Sequence, residues 1–362
     1  MTGPFRVLNR LVRHARITWK NLAIPRIPSP PFLILFINSV CNLKCGHCFY
    51  RENLNSKDDL TTEEIIKLSD DLGRVENLNI SGGEPFLRQD FAMICQRFIR
   101  NNGVEQIYAP TNAYYTAQTV QKVKDTLTER RLKLLVVEIS LDGMPDYHNR
   151  LRGSDHSFQN AMKTYEALVE LQLSDKRLRI HAISTATGSN MEEIRNLSEY
   201  LFHNRPGIDH HSVALIRGDW ANKDIARPDL EEYQSLHERI RKLWAPREQG
   251  RFGGIVEPML QWAKTRTANE GRQVAPCRAG ILSAVVYANG DVSVCESLPA
   301  LGNLRNKSFM DIWRSKEADD VRRSIRDKKC FCTNEVFLWP SITFQPLHLA
   351  NAMFHAKVWK KP

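Results

Sequence analysis

Three cysteines fall close together in the run Cys41-Asn42-Leu43-Lys44-Cys45-Gly46-His47-Cys48. Thiolates at spacings of four and three residues suit three corners of a cubane iron–sulfur cluster, which is ordinarily held by four cysteines. No fourth thiol lies nearby, so one iron is left open, and an open iron is a reactive site rather than a simple electron carrier. Cysteines at short spacing also hold zinc, and from spacing alone that alternative stays open.

A second group comprises Cys277, Cys295, Cys330 and Cys332, with 17 residues between the first two. Four thiolates framing a hairpin suit a closed metal site, zinc by spacing or iron–sulfur. The eighth cysteine, Cys95, sits between Ile94 and Phe98 in a helical apolar pattern and reads as core. Clustered cysteines without a secretory signal point to metal in a reducing, cytoplasmic compartment rather than to disulfides.

The elements that position these residues are those of a large soluble chain. At 362 residues it exceeds one small core, and 42% hydrophobic with 25% charged residues is a globular composition. The longest apolar stretch, Phe32–Ile37, is too short to cross a bilayer. A formal charge of +10 fits nucleic acid, an anionic membrane surface or an anionic substrate. No zinc knuckle, helix-turn-helix or aromatic RNA-binding signature accompanies the charge, which argues against nucleic acid.

Residues 5–22 read as a basic amphipathic helix. Phe5, Leu8, Leu11, Val12, Ala15, Trp19 and Leu22 recur at helical steps, and Arg6, Arg10, Arg13, Arg16 and Lys20 take other positions. Such a helix packs on the protein or lies peripherally at the inner membrane surface. Prolines 25, 28, 30 and 31 break it. Six strands then alternate with helices: Phe32–Asn38, Asn77–Ile80, Gln106–Tyr108, Leu135–Leu141, Arg179–Ser184 and His211–Ile216. The helices are expected near 61–72, 89–101, 115–127, 157–172 and 190–203. This alternation predicts a parallel α/β sheet, open or curved into a partial barrel, with chemistry at the strands' C-terminal ends. There lie the cysteine run, Ser81-Gly82-Gly83-Glu84-Pro85, Thr111-Asn112, and Ser140 with Asp142.

This order of motifs resembles the radical S-adenosylmethionine (SAM) superfamily over roughly residues 32–220. The resemblance implies a partial (β/α)6 TIM-like barrel in which Cys41, Cys45 and Cys48 ligate a [4Fe–4S] cluster. SAM chelates its open iron and is cleaved by one electron to a 5′-deoxyadenosyl radical that abstracts a substrate hydrogen. It further implies that Gly82, Gly83 and Glu84 hold the methionine amine. His47 stands near the adenine and Asn112 near the ribose, Ser140 contacts the ribose or the carboxylate, and Arg152 pairs with the carboxylate. An electron donor such as flavodoxin or ferredoxin is the implied partner.

Farther on, Val285–Tyr287 and Val292–Val294 flank the turn Ala288-Asn289-Gly290-Asp291, and two short helices follow near 307–315 and 317–327. Cys277, Gly290, Cys295, Leu301-Gly302-Asn303-Leu304, Ile312-Trp313 and Cys330 resemble the SPASM/twitch extension. A full SPASM pattern has seven cysteines and two auxiliary clusters; four here imply one auxiliary [4Fe–4S] cluster on Cys277, Cys295, Cys330 and Cys332. The expected units are a helix and linker over 1–31, the core over 32–222, a helical bridge over 223–274, a small α+β iron–sulfur domain over 275–335, and an aromatic, basic tail over 336–362.

The reading for function is oxidation or rearrangement of a small-molecule, sugar or lipid-linked substrate. The alternative is peptide or protein maturation, against which the 31 residues before the first strand are too few for a separate peptide-recognition domain. A non-catalytic metal-stabilised binding protein is the alternative of another class. Arg217 and Trp220 at the end of the sixth strand are the expected substrate residues, with Asp219 as a catalytic proton acceptor or an ion-pair partner of Arg217.

Overall fold

The computed structural model describes residues 11–19, 29–217, 224–248 and 252–358. Its centre is β1 (Phe32–Asn38), whose seven residues are all buried, as expected of a parallel strand covered on both faces. β2 (Asn77–Gly82), β3 (Gln106–Thr111), β4 (Leu134–Ser140), β5 (Leu178–Ala186) and β6 (Ile208–Leu215) follow in sequence order, each parallel to the last. A helix precedes all of them, α1 over residues 11–19. The crossovers carry α2 (Thr62–Asp71), α3 (Phe91–Asn102), α4 (Thr116–Leu127), α5 (Pro145–Arg152), α6 (Ser157–Ser174) and α7 (Met191–Asn204). This is the expected (β/α)6 partial barrel. The start of α2 is fixed by a capping box: Glu64 N donates to Thr61 Oγ1 at 3.3 Å and Thr61 N to Glu64 Oε2 at 2.7 Å.

The arc of strands does not close. α8 (Leu230–Glu248) lies along the free edge of β6, and α9 (Phe252–Glu270) follows it. The edge carbonyl of Val213 accepts from Tyr233 Oη at 2.7 Å and from Lys264 Nζ at 3.0 Å, which satisfies backbone that would otherwise be left unpaired.

At the other end the sheet runs on into the C-terminal unit. β7 (Ser283–Val286) pairs in parallel with β1, Phe32 opposite Ser283, and turns through a hairpin into β8 (Asp291–Ser293) and β9 (Gly302–Asn303). Gly290 takes φ +89° at that turn, a conformation that favours glycine. The expected α+β iron–sulfur unit is therefore one continuous sheet with the barrel, followed by α10 (Phe309–Trp313) and α11 (Lys316–Arg326). The expected tail forms α12 (Glu335–Thr343) and α13 (Pro346–Val358), which pack on α9 around Met259, Trp262, Leu338 and Ile342.

Of the amphipathic helix expected over residues 5–22, residues 5–10 and 20–22 lie outside the described residues, and the described part, α1, departs from that reading. Only Ile17 is fully buried, against Phe32, Leu282 and Phe344, while Leu11, Val12 and Trp19 are exposed. The arginines turn inward instead: Arg16 Nε donates to Glu76 Oε1 at 2.9 Å and Arg13 donates to the Glu76 carbonyl at 3.3 Å. The cause is Glu76, a fully buried carboxylate that needs countercharge. Burial pushes its pKa up, but hydrogen bonds from Arg16 and Arg74 override this and hold it low. Among the described residues no helix is long and apolar enough to cross a membrane.

Candidate active site and auxiliary cluster site

Cys41, Cys45 and Cys48 are half-buried on the loop after β1. Gly46 N donates to the Leu151 carbonyl at 2.9 Å, docking that loop on α5. Each thiol faces donors. Leu43 N reaches Cys41 Sγ at 3.5 Å, Arg152 Nη1 reaches Cys45 Sγ at 3.7 Å, and a backbone N–H from Tyr50 faces Cys48. Burial pushes all three thiols up, Cys41 to about 11, while these donors and Arg152 oppose it. Proton loss on binding therefore has to be driven by the positive charge of a metal centre. A cluster takes each thiolate on a separate iron and so sets its thiols wider than one ion does. The donor set fits a three-cysteine cluster.

Gly82 and Gly83 run against the end of β1. A Cβ on Gly82, which has φ +137°, would stand 2.2 Å from the Asn38 carbonyl oxygen, and one on Gly83 2.3 Å from that of Val40. Glu84 is 3% exposed and acts as a strut. Its carboxylate accepts from Phe86 N at 3.1 Å, Thr111 Oγ1 at 2.8 Å and Asn112 N at 2.7 Å, joining the ends of β2 and β3. Burial pushes its pKa up, opposed by those hydrogen bonds. Asn112 Nδ2 donates to Asn42 Oδ1 at 2.9 Å beside Cys41.

Arg152, at the end of α5, is committed to Asp142, donating through Nε at 2.7 Å and Nη2 at 2.6 Å, as well as to Cys45. His47 Nε2 stands 3.5 Å from the same carboxylate, and its Nδ1 is buried with no hydrogen-bond partner among the described residues. Asn38 Oδ1, beside the glycine loop, is likewise buried and unpartnered. Two orphaned polar atoms at this rim are what a bound polar ligand would satisfy. Ser140 ends β4, partly exposed. Asp219 and Trp220 lie outside the described residues. Arg217 pairs with Glu296 and lies 4.5 Å above the Phe49 ring.

The second cysteine group converges as well: Cys277, Cys295, Cys330 and Cys332 perturb one another's ionisation, and burial pushes Cys277 up to about 12. Gln273, absent from the sequence reading, ties the group together. Its Oε1 accepts from Cys277 N at 3.0 Å and its Nε2 donates to the Cys330 carbonyl at 2.9 Å. Four thiolates fill the four corners of a cubane.

The family model of the radical SAM superfamily matches residues 35–201, and that of the SPASM iron–sulfur cluster-binding domain matches residues 277–334. The chain is a radical SAM enzyme with a C-terminal SPASM domain. It carries the [4Fe–4S] clusters and the SAM that these domains bind.

The AdoMet-dependent heme synthase of Methanosarcina barkeri (strain Fusaro) is 26% identical to the enzyme, over 83% of this chain and 85% of that protein. The antilisterial bacteriocin subtilosin biosynthesis protein AlbA of Bacillus subtilis (strain 168) is 24% identical over 85% of this chain, which spans 64% of AlbA. Streptococcus suis SuiB, solved with its precursor peptide SuiA, shares the fold at TM-score 0.58 and 20% identity, over 89% of this chain and 72% of SuiB. The anSMEcpe structure with bound AdoMet does so at TM-score 0.59 and 15% identity, over 91% and 96%.

One further cluster of side chains was missed in the sequence. On β5 and β6 the residues facing the helices are buried, while His181, Ile183, His210 and Ser212 on the other face stay partly accessible. Glu138 is the register partner of His181, and His181 that of His210, so the three form a row across β4–β6. The two rings stand 5.3 Å apart, and His210 Nδ1 meets Glu248 Oε1 at 2.5 Å. Glu138 sits two residues before Ser140 on the same face. Burial first, then Glu335, pushes its pKa up to about 7, with His210 opposing. The signal was there: a carboxyl or imidazole side chain at an alternate position in each of three neighbouring strands.

Proposed function

We propose that the enzyme modifies a peptide by hydrogen-atom abstraction, with the peptide's reacting segment in the barrel against Glu138, His181 and His210. The observation that carries the site is the accessible polar row two residues below Ser140, at the rim where the cysteine loop and glycine loop meet. When bound, the cluster and SAM supply the radical. The chain's own part is to hold, orient and shield. Backbone of Gly82 and Gly83 receives the methionyl end of SAM, while Glu84 keeps that loop in place. Asn38 Oδ1 and His47 Nδ1 offer their unused acceptor or donor capacity to it. Asp142 fixes Arg152 beside Cys45. Within this row Glu138, whose pKa burial pushes up to about 7, accepts a substrate proton.

Support for a peptide comes from the alignment with AlbA, which runs along 85% of this chain and so through both domains. A second reading, a tetrapyrrole substrate, is favoured by the near-full-length alignment with the heme synthase, 85% of that protein. Reconstituted enzyme, SAM and dithionite, incubated in parallel with short peptides encoded beside the gene and with iron coproporphyrin, separate the two. A mass change in a peptide with matching 5′-deoxyadenosine supports the first. Turnover of the porphyrin alone contradicts it.

A further inference from the structure

We propose that Arg217 is the tie between the two cluster-binding loops and that its charge helps set the reduction potential of the auxiliary cluster. The residues it touches stand next to ligands of both clusters. Its guanidinium lies 4.5 Å over the ring of Phe49, the neighbour of Cys48, within reach of a cation–π attraction. The same guanidinium closes an ion pair with Glu296, the neighbour of Cys295. Glu296 is 7% exposed and also accepts from Asn334 Nδ2 at 3.0 Å. Asn334 in turn caps α12, accepting from Val336 N at 3.1 Å, two residues after Cys332. One side chain thus connects the barrel loop, a hairpin loop and the segment carrying the last two cysteines.

This is more than packing, because the contacts are charged and enclosed. Glu296 would be a buried, unpaired carboxylate without Arg217. The charges stand next to the ligands along the chain: Glu296 directly follows Cys295, and Arg217 lies over Phe49, which directly follows Cys48. Reduction adds a negative charge to a cluster, and its potential follows the charge around it. A nearby cation stabilises the reduced form and a nearby anion destabilises it. Arg217 and Glu296 therefore act in opposite directions, with Arg217 a positioning residue rather than the substrate contact expected from its place after β6. This inference rests on the two cluster sites and not on the choice of substrate.

The test is a redox titration of the holoenzyme followed by electron paramagnetic resonance. The SAM-site cluster is identified as the one whose signal changes when SAM is added. Arg217→Gln is expected to lower the potential of the auxiliary cluster, Glu296→Gln to raise it, and Arg217→Lys to stay near the parent value because it keeps the charge. Opposite shifts in the two neutral variants support the proposal. Unchanged potentials, or shifts of the same sign, overturn it and leave Arg217 a packing residue. Should Arg217→Gln fail to take up iron, Glu296→Gln and Arg217→Lys decide alone: a raised potential in the former with a parental value in the latter supports the proposal, and any other pair overturns it.

Discussion

Arg152 binds Asp142 through two nitrogens, at 2.7 and 2.6 Å, and reaches the Cys45 thiol with a third at 3.7 Å. Asp142 is fully buried. Burial would push its pKa up, but Arg152 and then His47 override this and keep it ionised. Arg152→Ala leaves that charge unpaired, which costs about 3–5 kcal/mol for a buried pair broken on one side. Urea unfolding of the variant should show a loss of that size. A loss below about 1 kcal/mol would mean that the pair is screened by solvent.

Gly83→Ala tests the close approach of the glycine loop to β1. The added methyl would stand 2.3 Å from the Val40 carbonyl and 2.6 Å from that of Ser39, both backbone atoms. The loop has to move, at a cost of about 1–3 kcal/mol or more. SAM affinity by equilibrium dialysis should fall at least tenfold, whereas unchanged affinity would place SAM away from this loop.

Glu138 makes stability depend on pH. Its folded pKa of about 7 lies above the ordinary carboxyl value because burial, then Glu335, disfavours the anion. At or below the ordinary carboxyl range both states hold the proton and no penalty exists. As pH rises toward 7 the unfolded chain ionises first, so stability is progressively lost. Glu138→Gln removes this slope. Thermal melts should agree at pH 4.5, and the variant should be more stable at pH 8, by on the order of 3 kcal/mol at most. His210, raised by Glu248 against the effect of burial, faces the same row and keeps its own slope in both proteins. Identical pH profiles would show that Glu138 is solvated.

Cys95 is the control for metal assignment. It is fully buried in the core on α3, so Cys95→Ala should keep the iron content of the parent and cost on the order of 1–2 kcal/mol. Lost iron, measured by metal analysis after anaerobic reconstitution, would bring Cys95 into a cluster.

The order of the barrel strands was legible because apolar runs between turn residues are what parallel strands require, although β3 runs on from the expected Tyr108 to Thr111 and β6 begins at Ile208 rather than His211. β1 matches its expected bounds, Phe32–Asn38, to the residue. α5 was not legible: eight residues with Pro145 at its start and three charged side chains carry little apolar periodicity. The pairing of β7 with β1 is a contact across some 250 residues that no local pattern encodes. The cysteines could be read because ligand spacing is local. Gln273, Asn334 and the Glu138–His181–His210 row act through partners distant in sequence, and only the fold brings those together.

The most direct test compares the parent with the triple variant Cys41→Ala, Cys45→Ala, Cys48→Ala after anaerobic reconstitution. Iron content and 5′-deoxyadenosine released from SAM under dithionite are measured on the same samples. The expected result is about eight irons and sulfonium cleavage in the parent, about four irons and no cleavage in the variant. Equal cleavage in both, or a parent that takes up zinc and no iron, would contradict the account.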